Sequence, residues 1–132
     1  MDELTRWLGE QLDEDERIAK AVDEEEQSWD PGDKSLGSAV IGAEYGAPVV
    51  VGPYDHLDWT VREFIAEHDP ARVLCEVEAK REALAHYERI RLHTRQDDEA
   101  YVLAEGAVSK QIQIMATAYA DRPGYREEWR PS

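Results

Sequence analysis

The stretch that decides the fold occupies residues 68–93 and reads HDPARVLCEVEAKREALAHYERIRLH. Asp69 is a favourable helix N-cap and Pro70 suits the first helical position, so this pair marks the start of a helix. Apolar residues then recur at helical spacing as far as Ile90. The stretch therefore predicts a long helix over about 70–94.

A second long helix is predicted over about 97–119, where Asp97 or Asp98 supplies the cap. Apolar residues such as Val108 and Ile112 repeat along it at the same spacing. A short polar link between two long helices is typical of an antiparallel helical hairpin.

The N-terminal segment over about 2–25 also has a helical repeat. Its apolar positions are Leu4, Trp7, Leu8 and Leu12, and the stripe resumes at Ile18. The acidic run at 23–26 would place negative charge at the C-terminus of this helix, where the helix dipole disfavours it. We therefore expect the end of the helix to fray.

Between these helices the chain carries strand and turn signals. Residues 27–38 contain helix breakers, and Trp29 among them is expected to anchor this loop on the core. The β-prone runs Ser38–Ile41 and Pro48–Val51 predict a β-hairpin over 38–52.

A short helix is predicted over 55–67, and a polar tail over 120–132. The apolar face of this short helix would consist of Leu57, Val61, Phe64 and Ile65. The fold class that follows is α+β and mostly helical. It comprises an N-terminal helix, a β-hairpin, a short helix, a long αα-hairpin and a polar tail. A length of 132 residues fits a single domain over 1–132.

The net charge of the chain limits the classes of molecule that it can bind. The net charge is -15, and residues 1–30 hold 12 of the 30 acidic residues but only 3 of the 15 basic ones. Such a chain repels the phosphates of nucleic acids and anionic lipids, so we expect neither direct nucleic-acid binding nor membrane association. A protein partner with a basic surface is favoured instead.

The single cysteine, Cys75, cannot form a disulfide within the chain, and beside Leu74 it is expected to be buried. No run of the chain reaches the roughly 20 apolar residues of a membrane span, and the acidic N-terminus is unlike a signal peptide. These features predict a cytoplasmic protein.

Two groups of residues are candidate partner-binding sites. The first is the acidic run Asp13, Glu14, Asp15 and Glu16. Its carboxylates could imitate nucleic-acid phosphates, or they could form a solvated helix face. The second is the pair Tyr125 and Trp129, which lies among arginines in the tail. Such residues often anchor interfaces, but they could equally hold the tail on its own helices.

A weaker alternative is a metal site. Glu78, Glu82, His86 and His93 fall near one helical face, and carboxylates with imidazoles can hold a divalent ion. The same residues also fit a solvated helix face with internal charge pairs. We expect no cofactor.

The amino-acid sequence at 68–81 and 119–131 resembles that of a family of small acidic proteins of actinobacteria and their phages, a domain of unknown function. The resemblance implies no activity and no catalytic residues. We therefore favour an interaction or regulatory protein of phage origin over an enzyme. The alternatives are a DNA-mimic inhibitor of a nucleic-acid-binding protein and a metal-dependent hydrolase. Because the stripes on the two long helices exceed what one hairpin can cover, a homodimer buried through 70–94 and 97–119 is also expected.

Overall fold

The structure is a computed structural model, and it describes residues 1–34, 39–44, 46, 48–52 and 57–132. The elements in chain order are α1 (Asp2–Lys20), β1 (Trp29–Asp30), β2 (Ala39–Gly42), β3 (Pro48–Val51), α2 (Trp59–Glu67), α3 (Pro70–His93) and α4 (Glu99–Thr117). Short 3-10 turns occur at Glu24–Glu26 and Glu127–Trp129. The predicted α+β class and the order of its helices and hairpin are confirmed.

The chain divides into two compact units. One comprises Met1–Glu14 with Glu78–Ser132, and the other comprises Asp15–Val77. The single-domain organisation over 1–132 stays a prediction. None of the helices in the described part of the chain is long and apolar enough to cross a membrane.

The core of the first unit is built on α1. Leu4, Leu8 and Leu12 are completely buried, as their helical spacing predicts. The other buried apolar residues of this unit are Trp7, Tyr87, Ile112, Ala116, Tyr119 and Trp129. Because α1 supplies four of these side chains, its apolar stripe is the element around which this unit packs.

The second unit contains a three-stranded antiparallel sheet in the order β1-β2-β3. Strands β2 and β3 form the predicted hairpin, in which Val40 pairs with Val50 and is completely buried. Ser38, the first residue of the predicted hairpin, lies outside the described residues. The third strand was not predicted, because β1 has only two residues and the helix breakers Pro31 and Gly32 follow it directly.

Asp69 connects this sheet to α3. One carboxylate oxygen accepts the backbone N–H of Arg72 at 2.8 Å, which caps the helix as predicted. The other oxygen accepts the backbone N–H of Trp29 at 2.9 Å. The backbone N–H of Ala71 also donates to the Gln27 carbonyl at 2.9 Å. Trp29 is thus held in a strand and not, as expected, in a loop.

The predicted apolar face of α2 is wrong. Val61 and Phe64 are 42% and 65% exposed, whereas Arg62 and Ala66 are buried. The guanidinium of Arg62 lies 5.1 Å from the Trp59 ring centroid and donates to the Asp33 carbonyl at 3.3 Å. A stacked and hydrogen-bonded arginine can be buried by its stem, so the helix rotates away from its most apolar side.

Other boundaries differ from expectation by a few residues. Helix α1 ends at Lys20, five residues before the predicted end, and the acidic run beyond it forms a 3-10 turn. Repulsion between these carboxylates and the helix C-terminus explains the early end. Helix α4 begins after Asp98, whose side chain accepts the backbone N–H of Ala100 at 3.0 Å.

Asp69→Ala should destabilise the protein more than Asp98→Ala. Asp98 supplies one capping bond, whose loss costs about 0.5–2 kcal/mol. Asp69 supplies a cap and also satisfies Trp29, so its loss should cost about 1–3 kcal/mol beyond a single cap. Urea unfolding of both variants measures the difference. Equal losses in the two variants would contradict the double role of Asp69.

Candidate functional site

The predicted acidic run at 13–16 is engaged within the chain. Asp13 accepts a bond of 2.7 Å from Arg81, and Glu16 pairs with Lys20 one helical turn away. Glu14 and Asp15 also have interaction partners. The carboxylates of this run are therefore partly neutralised, although Asp13 remains 73% exposed. Their binding to a partner stays a prediction.

A different group of carboxylates is exposed and has no basic partner among the described residues. Asp23, Glu24, Glu25 and Glu44 are exposed and line one shallow concavity of about 560 Å³ in the second unit. Within the described ranges, none of these four side chains forms an ion pair with a basic residue. We call this group the acidic patch. The sequence did not indicate it, because Glu44 comes from the β2–β3 loop and joins the others only in the fold.

The other predicted binding residues, Tyr125 and Trp129, pack against α1. Their rings lie 5.6 Å and 5.5 Å from the Trp7 ring, and 5.9 Å from each other. Trp7 Nε1 also donates to the Pro123 carbonyl at 3.0 Å. Trp129 is only 8% exposed, so the structure gives it a packing role within its own unit. Partner binding by this pair stays a prediction.

The tail is fixed by charges as well as by rings. Arg126 pairs with Glu3 on α1, and its guanidinium lies 5.3 Å from the Trp129 ring centroid. Lys80 Nζ of α3 donates to the hydroxyl of Tyr119, the residue directly before the tail, at 2.9 Å. The arginines and aromatics that read as an interface motif are therefore used largely for contacts within the first unit.

The residues of the metal alternative do not converge. Glu78, Glu82, His86 and His93 are all exposed on α3. Among the residues that the structure describes, no group of three or more His, Cys, Asp and Glu side chains could hold a metal ion. The hydrolase alternative thus has no ligand set in this part of the chain. The expectation for Cys75 is wrong, because this thiol is exposed on α3.

Tyr87 is a buried titratable group of the first unit. Its side chain is 1% exposed, and burial raises the pKa of its hydroxyl. The negative charges of Glu105 and Glu88 raise the pKa further, and a hydrogen bond with Ser109 opposes them. Tyr87 of α3 lies beside Val108 and Ile112 of α4, where the two long helices face each other.

These features define a small, acidic, mostly helical α+β protein whose open charged surfaces are its candidate sites. The chain belongs to DUF6221, a family of unknown function, whose model matches residues 1–131. This match confirms the resemblance noted in the sequence, and the actinobacterial and phage origin stays a prediction. Neither the curated proteins nor the solved structures contain a match.

Gly124→Ala should destabilise the first unit. Gly124 has a φ of +89°, and a Cβ there would lie 2.8 Å from Trp7 Nε1. Left-handed backbone strain at a residue other than glycine costs about 1–3 kcal/mol, and the contact adds to it. The matched control is Gly9→Ala in α1, where a Cβ meets nothing within 4 Å. Thermal unfolding should show a lower Tm for the first variant and an equal or higher Tm for the control.

Tyr87→Phe should make the protein less sensitive to alkaline pH. Because the folded state raises the pKa of Tyr87, this group contributes stability below the unfolded value of about 10 and loses it as pH rises through the folded value. Phenylalanine cannot ionise, so the denaturation midpoint should fall less steeply above about pH 10. The control is Tyr101→Phe, which replaces an exposed tyrosine. A parent-like alkaline slope in Tyr87→Phe would contradict the burial argument.

Proposed function

We propose that this protein is a non-enzymatic interaction protein that binds a basic surface of another protein through the acidic patch. The observation that carries the proposal is the contrast between two groups of carboxylates. Those at 13–16 have interaction partners within the chain, whereas Asp23, Glu24, Glu25 and Glu44 form no ion pair with a described residue. The patch carries four formal negative charges around one concavity.

The physical basis is electrostatic complementarity. Like charges grouped without counter-charges repel each other, and a basic partner relieves that repulsion on binding. Exposed charges mainly speed association, and dissolved salt screens them. Association should therefore slow, and binding should weaken, as the salt concentration rises. The net charge of -15 adds a long-range field that attracts basic proteins and disfavours acidic ones.

The identity of the partner distinguishes a DNA mimic from a regulator of another kind. If the basic surface normally binds nucleic acid, the patch acts as a DNA mimic and inhibits that binding. If it does not, the protein is a regulator of another kind. For either kind of protein, the cytoplasmic location and the phage origin stay predictions.

The test compares two variants of equal charge change. The patch variant carries Asp23→Asn, Glu24→Gln and Glu25→Gln, and the control carries Glu10→Gln, Glu63→Gln and Asp121→Asn at exposed sites elsewhere. Asp23 makes no side-chain capping bond, so its replacement should leave the following 3-10 turn intact. Circular dichroism and thermal unfolding verify that both variants fold.

Each protein is immobilised and exposed to lysate of its host at low and high salt, and bound proteins are quantified by mass spectrometry. We expect a basic protein that binds the parent and the control and is released by salt, with at least roughly tenfold less captured by the patch variant. Adding duplex DNA as a competitor identifies mimicry. Equal capture by the patch and control variants would reject the patch as the binding site.

A further inference from the structure

The exposed side of α3 carries charges in a particular order. Glu78, Glu82, His86, Arg89 and His93 are exposed, and steps of three and four residues keep them on one side of the helix. We call this surface the α3 face. The two acids occupy its N-terminal half, and the arginine and the two imidazoles occupy its C-terminal half. The face therefore has a negative end and a positive or polar end.

Arg89 stands apart from the arginines around it. Arg81 and Arg91 turn to α1, where they pair with Asp13 and Asp2. Arg89 has no acid three or four residues away on its own helix, and it forms no ion pair in the part of the chain that is described. Its guanidinium is exposed and is therefore accessible to a carboxylate of another molecule.

Glu82, like Arg89, has no ion-pair partner among the described residues. The nearest base on its own face, apart from histidine, is Arg89. These two residues are seven positions apart, about 10 Å along the helix axis, so they are poorly placed to pair within one chain. A second helix lying antiparallel would bring a Glu82 to an Arg89 at both ends of the contact.

The surroundings of these charges suit a close helix contact. Ala79, Ala83 and Ala85 line the same concavity of about 500 Å³ as Glu82, His86 and Arg89. Helix α4 borders the face with Tyr101, which is 43% exposed, and Ile114, which is 46% exposed. Small side chains allow two helices to approach, and exposed apolar groups at the edge are removed from water when they do.

We propose that a second copy of this chain binds the α3 face, with its α3 antiparallel and with Glu82 of each copy facing Arg89 of the other. The charge order is what selects a second copy as the occupant. An antiparallel copy matches the acidic half of one face with the basic half of the other, whereas a parallel copy would set acid against acid. A two-fold axis repeats every contact, so both charge pairs form at once.

Salt alone does not test this assembly. Screening weakens the Glu82–Arg89 pairs, but it also weakens the repulsion between two copies that each carry a net charge of -15. Charge reversal separates the two effects. The variants are Glu82→Arg and Arg89→Glu, and the matched controls are Glu10→Arg and Arg6→Glu, at exposed positions of α1.

Sedimentation velocity of the full chain over a range of concentrations measures the assembly. We expect the parent and both controls to dimerise, and each α3 variant to raise the dimer Kd by at least roughly tenfold, because each reversal places like charges together twice. An equimolar mixture of Glu82→Arg and Arg89→Glu should recover the dimer, since every facing pair in the mixed dimer is again opposite in sign. A variant that had merely lost its fold would not be rescued by mixing.

A parent that stays monomeric at every concentration would overturn the proposal and leave the α3 face to a different protein. Dimers insensitive to both reversals, or a mixture that fails to recover, would overturn it as well. The proposal is independent of the acidic patch. The patch variant Asp23→Asn, Glu24→Gln, Glu25→Gln should dimerise like the parent, so failure of one proposal leaves the other intact.

Discussion

The carboxylate of Asp69 is the constraint from which much of the structure follows. Its two oxygens satisfy two backbone N–H groups that belong to different elements, the first turn of α3 and the strand β1. A helix start is otherwise free to move by a residue or two, because its first N–H groups have no partners within the helix. The cap and the bond to β1 together fix this start within the second unit, where Val77 of the same helix is buried.

Much of this fold could be predicted because its signals are local. Asp69-Pro70 and Asp98 mark helix starts by backbone chemistry, and Pro48–Val51 reads as a strand by its β-branched residues. The features that were missed depend on distant groups. Strand β1 exists because Asp69 and β2 satisfy its backbone, and α2 buries Arg62 because Trp59 and the Asp33 carbonyl receive the guanidinium.

The candidate sites were harder to predict for the same reason. An acidic run on a helix shows where charge lies along the chain, but it does not show which bases the fold will bring to it. Arg81 partly neutralises the run at Asp13, while Glu44 joins carboxylates some 20 residues before it to form the acidic patch. The aromatic tail was ambiguous in sequence because interface anchors and core residues have the same composition.

The aromatic cluster of Trp7, Tyr125 and Trp129 has a consequence for synthesis of the protein. Trp7 donates its indole hydrogen bond to a carbonyl 116 residues further along the chain. During translation, α1 therefore leaves the ribosome long before the residues that cover its apolar stripe exist. Until then Leu4, Leu8 and Leu12 lack most of their final neighbours. This unit can close only after its last aromatic residue has emerged, so a ribosome that stalls late would leave a nascent chain with an uncovered, aggregation-prone helix.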